Sequence, residues 1–138
     1  MNPIAIFWPM IAHVLLVFIV YALLGIRRRK SIVDGEAKLK QFKLRGEEPA
    51  STAPTSNNVM NQFESPVLFH VACICLFVTG GVNVLTVILA WLFVASRYAH
   101  SYVHLTSNNV SMRFNCFMLS MFVLFVMWAA FALHIAAF

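Results

Sequence analysis

The sequence predicts an all-α integral membrane protein built as a four-helix transmembrane bundle. Three observations predict it. Of the 138 residues, 61% are hydrophobic and only 11% are charged, with a mean hydropathy of +0.80, whereas soluble domains are about 25% charged. The apolar residues are gathered into four blocks, Ile4–Ile26, Pro66–Val82, Val84–Leu105 and Phe114–Phe138. Each block is at or near the roughly 20 residues that cross a hydrocarbon layer. Most of the charge, finally, lies between these blocks or at their ends. A chain of this length is one domain.

The first block predicts a helix over about 3–27. It differs from a signal peptide because Met1–Phe7 carries no basic residue and the run is too long for an h-region. Arg27-Arg28-Arg29-Lys30 then closes it as a stop-transfer flank does. A loop over about 31–57 follows. Within it, Glu36–Leu44 sets Leu39 and Phe42 among Lys38, Lys40 and Lys43; such a stretch rests on anionic headgroups or is simply solvated. The run from Glu47 to Pro54 has the composition of a flexible linker and is assigned no structure.

Asn57 and Asn58 are good N-cap residues, so the second helix is placed at about 58–81. Pro66 removes a backbone donor and predicts a local kink. The short Gly80-Gly81-Val82-Asn83 turn leads to a third helix over about 83–106, and a fourth spans about 111–137. No internal repeat is visible.

Charge sets the orientation. Eight of the ten basic residues and all five acidic ones lie in Arg27–Ser65, and the other two, Arg97 and Arg113, flank the last connection. The positive-inside rule then places Arg27–Ser65 and Thr106–Arg113 in the cytoplasm and both termini outside. Nucleic-acid binding is excluded, because the basic residues are membrane flanks without interleaved aromatic residues. Cys73, Cys75 and Cys116 match no zinc spacing, and an odd number forms no complete disulfide framework; they are read as small buried hydrophobes.

An ionisable group inside a membrane helix is costly and therefore a functional candidate. Arg97 sits about 12 Å of helix before the end of its block. His100, Ser101 and His104 follow at i+3, i+4 and i+7, making one polar stripe. Asn61 and Glu64 form an i, i+3 pair on the second helix. Folding the two helices back about Gly81–Val82 sets Glu64 level with Ala99 and Asn61 level with Tyr102. A Glu64–Arg97 ion pair is then expected, either fixing helix register or serving a site. Arg27 and Arg113 reach the same membrane face.

Arginines beside an asparagine, a carboxylate and histidines suit an anionic, amino-acid-like ligand carrying carboxylates. A guanidinium also lowers the pKa of a neighbouring thiol, and the apolar bundle admits a hydrophobic small molecule from the bilayer. His100 and His104 at i, i+4 have the spacing of a metal pair, but no HExxH pattern accompanies them and no metal ligand is assigned. His13, His70 and His134 are read as singly satisfied helix residues.

The run Asn61-Gln62-Phe63-Glu64-Ser65-Pro66, then Arg97-Tyr98-Ala99-His100-Ser101 and Arg113, resembles the MAPEG family, the membrane-associated proteins of eicosanoid and glutathione metabolism, in a bacterial-type member. The resemblance implies a homotrimer of four-helix subunits in a bacterial inner membrane, with periplasmic termini and glutathione bound between subunits near the cytoplasmic side. It implies glutathione binding by Asn61, Glu64, Arg97 and His100, with Arg27 and His104 as further contacts, and thiol activation by Arg113. The chain departs from the pattern at Asn57-Asn58-Val59-Met60, where family enzymes carry arginine and histidine, at His104, where they carry tyrosine, and at Phe114, where a hydroxyl can occur. Two functions follow as expectations: a glutathione transferase or peroxidase acting on a hydrophobic substrate, or a non-catalytic membrane subunit or lipid-binding scaffold, associated with a larger complex, that keeps the fold.

Overall fold

The computed structural model describes residues 2–43 and 48–137. Among these residues all regular secondary structure is helical: a 3-10 turn at Pro3–Ile6 runs into α1 (Phe7–Val33), followed by α2 (Ala53–Gln62), α3 (Ser65–Val78), α4 (Val84–Leu105) and α5 (Val110–Ala136). Four helical stretches are long and apolar enough to cross a membrane, Pro3–Val33, Ala53–Val78, Val84–Leu105 and Val110–Ala136. The second of these is α2 and α3 in series, broken at Phe63–Glu64.

The break has a local cause. Pro66 sits in the first turn of α3, where its missing N–H is harmless. In an unbroken helix that missing N–H would have left the Gln62 carbonyl without its partner. The expected kink is thus a full interruption. The start of the second span also differs from expectation. It lies at Ala53, with Pro54 in the first turn, and Asn57 and Asn58 are interior to α2 rather than caps. Nor does α1 stop at Arg27; it continues through the basic cluster to Val33, and cations in a last turn favour the helix dipole.

The connection between α3 and α4 is tight. Gly81 N–H bonds to the Leu76 carbonyl at 2.8 Å and Gly80 N–H to that of Phe77 at 3.2 Å, a Schellman closure that requires the positive φ of +71° at Gly80. Asn83 then caps α4 in a reciprocal capping box with Thr86. Gly81 leaves room for α5: a β-carbon there would stand 2.7 Å from His134 Cδ2. The His134 ring bonds the Thr79 carbonyl at 3.0 Å through Nε2, so the end of α5 closes over the end of α3.

The core is formed mainly where α3, α4 and α5 meet, around Phe69, Cys73, Leu76, Ala90, Phe93, Leu124 and Met127. Phe69 and Phe93 stack at 4.4 Å between centroids. Cys73 is buried in this cluster, and the three cysteines are free thiols. A smaller cluster of Leu16, Val20, Leu24 and Val59 joins α1 to α2. α4 is the most enclosed span and packs most extensively on α5.

The segment between α1 and α2, expected as a loop with no structure over Glu47–Pro54, is partly ordered; Leu44 and Glu47 lie outside the described residues. Leu39–Lys43 forms a 3-10 turn. Arg28 donates to both oxygens of Glu48, at 2.8 and 2.6 Å, and lies 5.1 Å from the Phe42 ring centroid. Thr52 adds a hydroxyl bond to Glu48 at 2.9 Å. The Arg28 hydrogen bonds hold the Glu48 carboxyl below its usual pKa, with partial burial opposing them.

Two predictions follow from these closures. Gly81→Ala should destabilise the protein by about 1–2 kcal/mol through crowding; in a His134→Ala background the added cost should vanish, which a double-mutant thermal-unfolding cycle measures. The Glu48 clasp stabilises the loop above the unfolded carboxyl pKa of about 4.3 and loses that contribution as pH falls through the lower folded value. For a pair this exposed the effect is at most about 1 kcal/mol. Proteolysis at Leu39–Lys43 should therefore accelerate in acid, and Glu48→Gln should show the acid rate at neutral pH.

Candidate functional site

The break between α2 and α3 leaves carbonyls at the end of α2 without helical partners. One of them is taken from α4. Arg97, with no exposed surface, donates from Nη2 to the Asn61 carbonyl at 2.9 Å. The partial negative charge at a helix C-terminus favours a guanidinium at that position. Asn61 and Arg97, joined by expectation to one site, do meet, although through backbone rather than side chain.

The expected Glu64–Arg97 ion pair does not form. Among the described residues the ion pair found is Arg28–Glu48. Depth matching treated the second span as one continuous helix, and the interruption turns Glu64 outward, where it is exposed. The depth match itself holds two residues earlier in the span: Gln62 meets Ser101, its amide nitrogen 2.9 Å from the hydroxyl.

In front of Arg97 lies a cavity of about 490 Å³ between α2, α4 and α5. Its polar lining is Asn57, Asn61, Glu64, His100, His104 and Arg113; Met60, Val110, Phe114 and Phe117 supply the apolar side. Five of the seven sequence-predicted residues thus share one cavity, and Arg97 stands behind its wall. His100 and His104 are nearly perpendicular, with centroids 5.7 Å apart. His100 Nδ1 lies 3.0 Å from the Arg113 carbonyl, and this acceptor makes Nδ1 the protonated nitrogen and Nε2 the acceptor of the neutral ring. Arg113 occupies the first turn of α5 and donates from Nη1 to the Asn108 side chain at 2.9 Å.

Several buried polar atoms around the cavity lack a protein partner: Nε and Nη1 of Arg97, Nε2 of His100 and Nδ1 of His104. Buried groups of this kind are nearly always bonded, so the wall is polar and unsaturated. Among the described residues, no three His, Cys, Asp or Glu side chains are grouped to hold a metal ion.

Arg27 is placed elsewhere. It donates from Nη1 to Thr55 Oγ1 at 2.6 Å and from Nη2 to the Leu105 carbonyl at 2.9 Å, tying α1 to α2 and capping the end of α4. It does not line the cavity. Tyr102 is exposed, and Tyr98 turns to α1, donating to the Ala12 carbonyl at 2.8 Å.

A family model described as the MAPEG family matches residues 6–133. The chain belongs to the MAPEG family. Searches of curated proteins and of solved structures gave no match. Membership fits the four apolar spans of this MAPEG chain.

Sequence reasoning missed a second polar group on the other face of α2, in which His13, Asn58, Gln62, His70 and Ser101 are linked. The signal was present, because each intramembrane polar residue needs a partner. His13 and His70, 57 residues apart, carry no sequence pattern that pairs them.

Substitution separates the roles of Arg97 and Glu64. Arg97→Leu leaves the Asn61 carbonyl unmet and should cost about 1–3 kcal/mol. Glu64→Gln should leave the unfolding midpoint unchanged. A buried ion pair would instead make that substitution cost about 3–5 kcal/mol.

Proposed function

We propose that this MAPEG protein is a glutathione-dependent membrane enzyme of transferase or peroxidase type acting on a hydrophobic substrate, with the α2–α4–α5 cavity as its thiol site. The observation that carries this reading is the position of Arg113. A guanidinium in the first turn of α5 adds to the positive end of that helix's dipole, where the helix itself gains nothing from a cation. Both fields fall on a cavity that Arg113 lines.

Glutathione supplies a thiol nucleophile, together with two carboxylates and an ammonium group. The residues present fit it. Arg113 would favour the ionised form of a thiol beside it and is reached from the cavity. Glu64, exposed and free of an ion pair, suits the ammonium group. The unpartnered His100 Nε2 and His104 Nδ1 suit polar groups of the peptide. The cavity volume lies within the roughly 300–1,000 Å³ of small-molecule sites, and Met60, Phe114 and Phe117 line a side suited to a hydrophobic second substrate. Arg97 acts from behind the wall by holding Asn61 in place. In this reading the chains form a trimer in a bacterial inner membrane, with the cavity at the cytoplasmic face and both termini periplasmic, and Arg27 is a clamp rather than a ligand contact.

Two observations favour the non-catalytic reading: Arg113 is already engaged by Asn108, and Asn57 is neutral where the cavity would gain from a cation. The two readings separate on one measurement. With purified protein and glutathione, the ultraviolet absorbance of the thiolate should appear well below the free thiol's pKa of about 8.5, and a hydrophobic electrophile should be conjugated. Arg113→Ala should lower the conjugation rate roughly 10²-fold, the scale of losing one preorganised charge-stabilising donor, and Arg113→Lys should retain part of it. A thiol pKa unchanged by the protein, with no conjugation, would favour the scaffold.

A further inference from the structure

The chain leaving α1 doubles back on itself. Gly35 takes a φ of +76° just beyond the helix end, and the amides of Glu36 and Ala37 both return to the Ser31 carbonyl, at 2.9 and 3.1 Å. Ala37 is buried by this reversal. A second closure follows. Lys38 N–H bonds the Gln41 side-chain oxygen at 2.6 Å, and Gln41 N–H bonds the Lys38 carbonyl at 2.9 Å. These bonds shape the 3-10 turn Leu39–Lys43 and bring the Phe42 ring centroid to 5.1 Å from Arg28 Cζ. Arg28 stands before the end of α1 at Val33, about 8 Å back along the axis. The turn therefore lies level with the close of the first apolar block at Ile26, where hydrocarbon gives way to headgroups.

What the turn carries to that depth is charge. Side chains three apart eclipse in a 3-10 turn, so Lys40 and Lys43 share one edge while Leu39 shares another with Phe42. Lys38, Lys40 and Lys43 are exposed, as are Arg29 and Lys30 near the end of α1. None of the five is in an ion pair among the described residues, where the pair found joins Arg28 to Glu48. Asp34 and Glu36 are the carboxylates of the same stretch, so five cations stand against two anions. Like charges held side by side repel, and the reversal holds these together. Beyond this stretch the described carboxylates are Glu48, already paired, and Glu64. A second copy of the chain thus has little to set against the patch. Leu39, 77% exposed, adds an apolar side chain at the level of the acyl-chain roots.

We propose that the reversal after α1 is a binding surface for the headgroups of anionic phospholipids, with Lys38, Lys40 and Lys43 on the phosphates and Arg29 and Lys30 beside them. Clustered lysines at a membrane surface favour anionic over zwitterionic lipid. The lipid is a ligand here and not a substrate, so the surface does not depend on thiol chemistry in the α2–α4–α5 cavity.

The test uses the full chain in phosphatidylcholine vesicles, with spin-labelled phosphatidylglycerol and spin-labelled phosphatidylcholine as probes. Spectra of the lipid immobilised at the protein should show a preference for phosphatidylglycerol that high salt screens. Replacing the three lysines together, Lys38→Gln, Lys40→Gln and Lys43→Gln, should lower that preference about fivefold, the scale of one fully effective cation. Replacing them by Arg should retain it. Because all three side chains are exposed, neither set should move the thermal unfolding midpoint in phosphatidylcholine. Amide hydrogen exchange over Leu39–Lys43 should be slower in vesicles that contain unlabelled phosphatidylglycerol than in phosphatidylcholine alone. Equal immobilisation of the two probes would overturn the proposal, as would a preference that survives the Gln substitutions. A preference abolished by inorganic phosphate at matched ionic strength would assign the patch to free phosphate and overturn it too. So would exchange equally slow in both kinds of vesicle, which marks a turn covered by protein.

Discussion

Hydrocarbon cannot bond a peptide carbonyl, and the broken second span has carbonyls to be met. The bond from Arg97 to the Asn61 carbonyl answers that constraint, and much of the bundle is arranged around it. It draws the end of α2 against the middle of α4, and the polar stripe of α4 then faces α5 across the cavity. The same device recurs at other helix ends. Arg27 takes the Leu105 carbonyl where α4 ends, and His134 takes that of Thr79 where α3 ends. Side chains from neighbouring helices thus close backbone groups that water closes in a soluble protein.

The four spans were legible because long apolar runs admit little else, and the glycine turn was legible because its chemistry is local. The cavity residues were legible as a set, since intramembrane polar groups stand out against an apolar background. Pairing was harder. Pro66 announced a disturbance but not its size, and the size decided whether Arg97 met the Glu64 carboxylate or the Asn61 backbone. Asn57 and Asn58 resembled caps because their intrinsic preference is local, yet Pro54 and the packing of Val59 against α1 extended the helix beyond them. His13 and His70 are 57 residues apart in sequence, and only the packing of α1 on α3 shows that they meet.

Family membership supplies the fold and leaves the chemistry to the site. The polar elements of the candidate site differ in character. Arg97 and Arg27 are committed to backbone carbonyls and hold helices, while Arg113, Glu64 and the two histidines retain unused capacity at the cavity. Positioning and recognition are therefore divided among residues that sequence motifs group together. The Arg28–Glu48 clasp lies at the start of α2, on the face toward α1, and steadies the loop that precedes it.

The most direct test of the account is a structure of the protein in a lipid bilayer with millimolar glutathione. The account predicts ligand density in the α2–α4–α5 cavity, with the sulfur beside the Arg113 guanidinium and Arg97 still bonded to the Asn61 carbonyl. Glutathione density away from Arg113, or a cavity that holds only solvent while Arg113 remains bonded to Asn108, would contradict it.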